Sequence, residues 1–96
     1  MQEKFKWDEN KNKRNTIKHG VSFEEAETVF DDDDIIYLAD KIHSQNEERF
    51  IALGKSKNQR ILVVCHCYRE SKTIIRLISA RKANKAETNW YYGGLL

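Results

Sequence analysis

The sequence predicts an α+β fold: an antiparallel β-sheet with two N-terminal helices packed on one face and a C-terminal helix. Three observations carry that expectation. Lys18-His19-Gly20-Val21-Ser22-Phe23-Glu24-Glu25-Ala26 closes one helix and opens the next with almost no linker between them. Four β-rich segments then follow in succession, separated by short polar stretches. Asn84 with Glu87 spells the N-cap and capping acid of a last helix, running through Trp90, Tyr91 and Tyr92.

Each element has a local reason. Phe5-Lys6-Trp7 alternates apolar and polar residues and predicts a short strand. Asp8 reads as the N-cap of a polar helix that ends at His19. The residues from Glu9 to Asn15 offer little to a core, so Trp7 and Ile17 are the expected anchors of a weakly held, largely solvated helix. Gly20 suits the left-handed position past a helix end, because it has no Cβ to clash there. Ser22 and Glu25 read as a capping box, the hydroxyl taking an orphan N–H and the carboxylate reaching back. A second helix is expected from about Phe23 to Phe30, with Phe23, Ala26, Val29 and Phe30 on one apolar face. The aspartates Asp31–Asp34 fall at the wrong end for the helix dipole. They read either as a solvated turn or as an attraction for a basic partner segment.

The strands are expected at Ile35–Ala39, Arg49–Gly54, Arg60–Tyr68 and Thr73–Ala80. The third is almost continuously apolar, as a central strand buried on both faces should be. The loops Lys55–Gln59 and Arg69–Lys72 suit antiparallel hairpins. Pairing Gly54 with Arg60 puts Arg60 and His66 on one face and Arg49 on the other, while Arg76 has no assignable face. Cys65 and Cys67 share a face at a spacing poor for a disulfide, and read as small strand fillers rather than zinc ligands.

Composition sets the class. A chain of 96 residues with 40% hydrophobic and 33% charged side chains is one globular domain, 1–96. No apolar run approaches the ~18–20 residues of a membrane span. The start, Met1-Gln2-Glu3-Lys4, lacks the apolar core of a signal peptide, so a cytoplasmic location is expected. The formal charge is +2, but four consecutive aspartates conceal a more basic remainder. Lys and Arg cluster at Lys11–Lys18, Lys55–Arg60, Arg69–Lys72 and Arg76–Lys85, either solvating the surface or facing an anionic partner. No P-loop, dinucleotide fingerprint or metal-ligand motif is present, and no metal or cofactor is expected.

The unusual residues are the strand arginines Arg49, Arg60, Arg76 and Arg81. A guanidinium on a strand must pair with an acid, emerge at the sheet end or line an exposed face. Several on an uncovered face would bind phosphate, because the planar fork matches phosphate geometry. Such a surface permits metal-free RNA cleavage, in which a base activates the 2′-hydroxyl, an acid protonates the leaving oxygen and cations stabilise the phosphorane. His19, His66, Lys18, Glu48 and Tyr91 are the available proton handlers. Each has a plainer alternative. His66 fills a core, His19 faces the helix dipole, Glu47 and Glu48 pair with strand arginines, and Trp90, Tyr91 and Tyr92 pack as anchors or stack on bases.

The chain also resembles a known family. Trp7-Asp8, the Lys18–Ala26 block, Val29-Phe30-Asp31, Glu48-Arg49-Phe50, Leu53-Gly54, Arg60 with the following Leu-Val-Val, His66, and Ile78-Ser79-Ala80-Arg81-Lys82-Ala83 are similar to the BrnT toxins of bacterial type II toxin–antitoxin pairs. The resemblance spans roughly residues 5–91 in order. It implies a RelE-like α+β fold and a metal-independent endoribonuclease that halts translation. It further implies neutralisation by a BrnA-type antitoxin, typically in a heterotetramer that touches DNA only through the antitoxin. By motif position it implies Arg60, Arg81 and Tyr91 as the first catalytic candidates, then Arg76 and His19. Lys18, Arg49, Glu48, His66 and Trp90 are implied RNA contacts. The last helix departs from the family's usual Lys/Arg richness, reading Lys85-Ala86-Glu87-Thr88-Asn89-Trp90. The departure implies either weaker substrate affinity or a Trp90 that replaces charge with stacking worth ~1–3 kcal/mol per base. The rival expectation is a degenerate toxin that binds antitoxin and co-represses transcription without cleaving RNA.

Overall fold

The computed structural model describes residues 4–43, 47–70 and 73–93. The chain order is β1 (Lys4–Lys6), α1 (Glu9–His19), α2 (Phe23–Ala26), a 3₁₀ turn (Glu27–Asp31), β2 (Ile36–Ala39), β3 (Phe50–Lys55), β4 (Ile61–Arg69), β5 (Ile74–Lys82) and α3 (Lys85–Tyr91). The expected starting residues of the chain and residues 71–72 of the second hairpin loop lie outside the described residues.

The five strands form one sheet in the order β1-β5-β4-β3-β2. Strands β2 to β5 are antiparallel neighbours, as the hairpin loops require. The sheet as a whole is mixed, however, because β1 pairs parallel to β5. The two strands lie at opposite ends of the chain order, so no tight hairpin joins them and a parallel pairing is open to them.

One face of the sheet carries the main core. Val21, Phe23, Ala26 and Val29 from the helix layer pack on Ala52, Leu62, Val64, Ile75, Leu77 and Ala80. Gly54 lets the 3₁₀ turn close on this face, since a Cβ there would lie 3.1 Å from Val29 Cβ. The second helix is shorter than expected, turning 3₁₀ after Ala26. Ser22 does cap it by accepting from Glu25 N, but the Glu25 carboxylate goes to Ser56 and Arg60 instead of reaching back.

Helix α1 departs further from expectation. Asp8 caps it, accepting from Asn10 N and Lys11 N, and Gly20 ends it at φ 70°, both as its sequence requires. Ile17, the expected anchor, is 86% exposed. Trp7 does anchor the entry, edge-on to Phe23. The rest of the grip comes from two buried asparagines. Asn12 accepts from Phe23 N and donates to Glu9 and Glu24. Asn15 donates to Val21 O and Ala80 O and accepts from Ala80 N. Because β1 pairs with β5 only at Ile74–Arg76, the later backbone of β5 is left without a strand neighbour on that side. Asn15 supplies the missing partner, so α1 is tied along the sheet edge while α2 and the 3₁₀ turn pack on the face. The vacant edge of β3 beyond β2 is treated the same way by Asp32, whose Oδ2 accepts from Lys55 N at 2.7 Å.

Candidate functional site

Register decides which arginines meet. Gly54 pairs with Leu62, and Ser56 N donates to Arg60 O, a register two residues from the expected one. A shift of two preserves the face. Arg60 and His66 therefore lie on the helix-covered side, while Arg49 lies on the other. Between β4 and β5 the pairs Cys65–Ser79 and His66–Leu77 leave Ile78 as an extra residue, a β-bulge. Past it, Arg76 stands opposite Cys67 and Arg81 opposite Val63. Arg49, Arg76 and Arg81 thus share the second face.

That face is partly roofed. Helix α3 packs against β3, and Lys55 Nζ lies 5.5 Å from the Tyr92 ring centre. Leu53 and Val63, both pointing to this side, are buried. The capping box of Asn84 and Glu87 forms as its residues predict. Glu87 also grips Arg81 with two parallel hydrogen bonds of 2.8 Å, which aims the guanidinium and keeps it firmly protonated.

Beside the roof lies a groove of about 330 Å³. Arg81, Arg49, His19 and His43 line it together with Asp40 and Cys65, over a floor that includes Ile51, Val63 and Ile78. Burial pushes the Cys65 thiol up, so it stays neutral there. The bulge joins this groove to a second one of about 300 Å³ along α1, where Lys11, Arg14, Lys18 and His19 face Ile78 and Ser79. The two grooves share His19, Ile78 and Ser79. Glu47 lies 3.7 Å from Arg49 and is bonded to Arg69 at 2.6 Å.

The other expected site residues fall elsewhere. Arg60 binds Glu25 through Nε and Nη2 and donates to Gly20 O at 3.0 Å, tying the first hairpin to the helix corner. The Arg60 guanidinium holds the Glu25 carboxyl below its ordinary range despite burial. Tyr91 donates its hydroxyl to Asp32 Oδ2 at 2.5 Å, and burial together with that carboxylate pushes its ionisation up. Burial opposes ionisation of Asp32, but Tyr91 and the Lys55 and Asp34 N–H groups outweigh it and hold the carboxyl low. The aspartate run is thus neither an idle turn nor a free charge patch at Asp32. His66 is 0% exposed, caged by Phe30, Tyr37, Phe50 and Tyr68, so it has no surface to offer RNA. Glu48 is exposed, Trp90 is half-buried on α3, and Arg76 lies outside the groove lining.

Two groove residues escaped the sequence reading, Asp40 and His43. Their only signal is an acid three residues before a histidine, a spacing that means nothing until a turn brings the pair together. Among the described residues, no group of three or more His, Cys, Asp or Glu is arranged to hold a metal ion.

The profile of a family described as "Ribonuclease toxin, BrnT, of type II toxin-antitoxin system" matches residues 7–87. The chain belongs to the BrnT family. Among solved structures it is similar to the Brucella abortus ribonuclease toxin BrnT, with a TM-score of 0.67 and 24% sequence identity. The match covers 88% of this chain and 100% of that one. At that identity the likeness speaks for the fold. No curated protein sequence matches the chain. Within the BrnT family's α+β frame, the strand arginines are divided. Arg49, Arg76 and Arg81 serve the open face, and Arg60 serves the frame itself.

Proposed function

We propose that this BrnT-family chain is a metal-independent endoribonuclease, cutting RNA through attack of the 2′-hydroxyl on the adjacent phosphate. The carrying observation is the groove in which Arg49, Arg81 and His19 line one concave surface. Arg81 and Arg49 bind the phosphate and the charge that grows on it, since preorganised cations act most strongly where charge develops. His19 handles a proton. Lys18, with Lys11 and Arg14, guides flanking phosphates along α1. Arg76 extends the cationic face, and Trp90 offers a stacking surface. Tyr91 and Arg60 act through the frame, as the latch of α3 and the lock of the helix corner.

Family membership supports the remaining parts of this reading. The toxin is a RelE-like single domain, acts in the cytoplasm and halts translation. A BrnA-type antitoxin neutralises it, in a heterotetramer that reaches DNA through the antitoxin. The test is direct. Purified protein should cut a defined RNA in EDTA, and expression of the chain alone should arrest bacterial growth, with Arg81→Ala relieving both effects. Soluble, folded protein that leaves RNA intact and growth unaffected would instead mark a binding module without cleavage.

A further inference from the structure

His43 lies in the turn after β2, with Nδ1 2.9 Å from Asp40 Oδ2. The Asp40 side chain is 11% exposed and that of His43 is 64% exposed, so the acid stands behind and the ring in front. Both line the groove shared with His19, Arg49 and Arg81. An ionised carboxylate only accepts hydrogen bonds, so a neutral ring facing it through Nδ1 holds its hydrogen there and turns the lone pair of Nε2 outward. A carboxylate on one ring nitrogen and an open lone pair on the other is the arrangement that orients a general base.

We propose that His43 is the general base of this groove and that Asp40 is its positioning residue. The proposal rests on the ribonuclease reading above. Nε2 of His43 takes the proton of the 2′-hydroxyl, and the freed oxygen forms a bond to the neighbouring phosphorus. The P–O5′ bond breaks, and the leaving oxygen takes a proton from the imidazolium of His19. The products end in a 2′,3′-cyclic phosphate and a 5′-hydroxyl. His43 finishes with one proton more and His19 with one fewer, and solvent restores both. Arg49 and Arg81 are the cations facing the reacting phosphate, and Cys65 and Asp40 are the other titratable groups lining the site.

The test is the pH–rate profile for cleavage of a defined single-stranded RNA by the intact protein and by His43→Asn, His43→Gln and Asp40→Asn. Affinity is measured in parallel on a 2′-O-methyl analogue that cannot be cut. Both His43 variants should lose about 10²–10⁴-fold in kcat, keep affinity within about threefold and lose the acid limb of the profile. Asp40→Asn should lose less and displace that limb without abolishing it. His43→Gly should regain activity with added imidazole. Retention of the rate and acid limb in His43→Asn would overturn the base assignment and leave the ribonuclease reading standing, with the pair reduced to a turn brace. A loss that imidazole does not restore and that comes with weaker analogue binding also counts against it. No cleavage by the intact protein at any pH would overturn both.

Discussion

The side-chain amide of Asn15 meets both backbone groups of Ala80, donating to its carbonyl at 2.7 Å and accepting from its N–H at 3.1 Å. A side chain thus completes a sheet edge that β1 leaves unfinished. Removing it strands both backbone groups at a cost of about 1–3 kcal/mol each, so Asn15→Ala should lose roughly 2–6 kcal/mol. Ile17→Ser, on the same helix but 86% exposed, should change stability by less than ~0.5 kcal/mol. Urea unfolding of the two variants checks both figures, and the reverse ranking would refute the edge role.

Arg60 and Arg81 each grip a glutamate, yet their losses should differ in kind. Arg60→Ala leaves Glu25, 5% exposed, without its cation. Breaking such a pair costs about 3–5 kcal/mol when fully buried, and somewhat less here because the arginine is partly solvated. Glu25→Gln in that background should recover part of the loss. Arg81→Ala leaves a better solvated Glu87, and should lower cleavage about 10²–10³-fold with a smaller drop in melting temperature. Activity that survives Arg81→Ala in folded protein would remove Arg81 from the proposed site.

Tyr91→Phe separates a latch from a proton donor. The variant keeps the ring and loses the bond to Asp32, an interaction with a charged acceptor worth about 1.5–3 kcal/mol. It should melt earlier while cutting RNA at a rate within a few-fold of the parent. A collapse of cleavage without loss of stability would return the hydroxyl to the chemistry.

His66 makes stability depend on pH. Burial lowers its pKa below the ordinary 6.5, against the smaller pull of the Val64 carbonyl, so the unfolded chain binds the proton more readily. Stability is therefore fully present above 6.5 and falls as pH drops below it toward the folded value. Glu25 is also lowered, and its contribution is lost only below its ordinary 4.5. The two windows are distinct. Unfolding free energies between about pH 8 and pH 5 should slope downward in the parent and flatten in His66→Phe. An unchanged slope in that variant would assign the titration to another group.

The local punctuation was legible from residues alone. Asp8, Gly20, Ser22, Asn84 and the Glu87 cap all act as their types and spacings require, because a cap involves groups within a few residues of each other. The hairpins and the face of Arg49 were legible too, since strand parity survives a two-residue error in register. Partner choice was not. Glu25 satisfies the spacing of a capping box yet binds an arginine far along the chain, where charge outweighs a second cap bond. Two asparagines in a polar helix look solvated until an unfinished strand edge is placed beside them.

For the site, the BrnT kinship, the supply of strand arginines and the sheet that carries them are all written in the residues. Which of those arginines converge emerges in the folded sheet, because the extra residue at Ile78 resets the alternation of β5. The tertiary structure alone showed that the face shared by His66 and Arg60 is the one the helices cover, and it alone brought Asp40 and His43 into the groove. Caps and strand periods are set by neighbours in the chain, whereas a groove is assembled from elements that meet only when the sheet is complete.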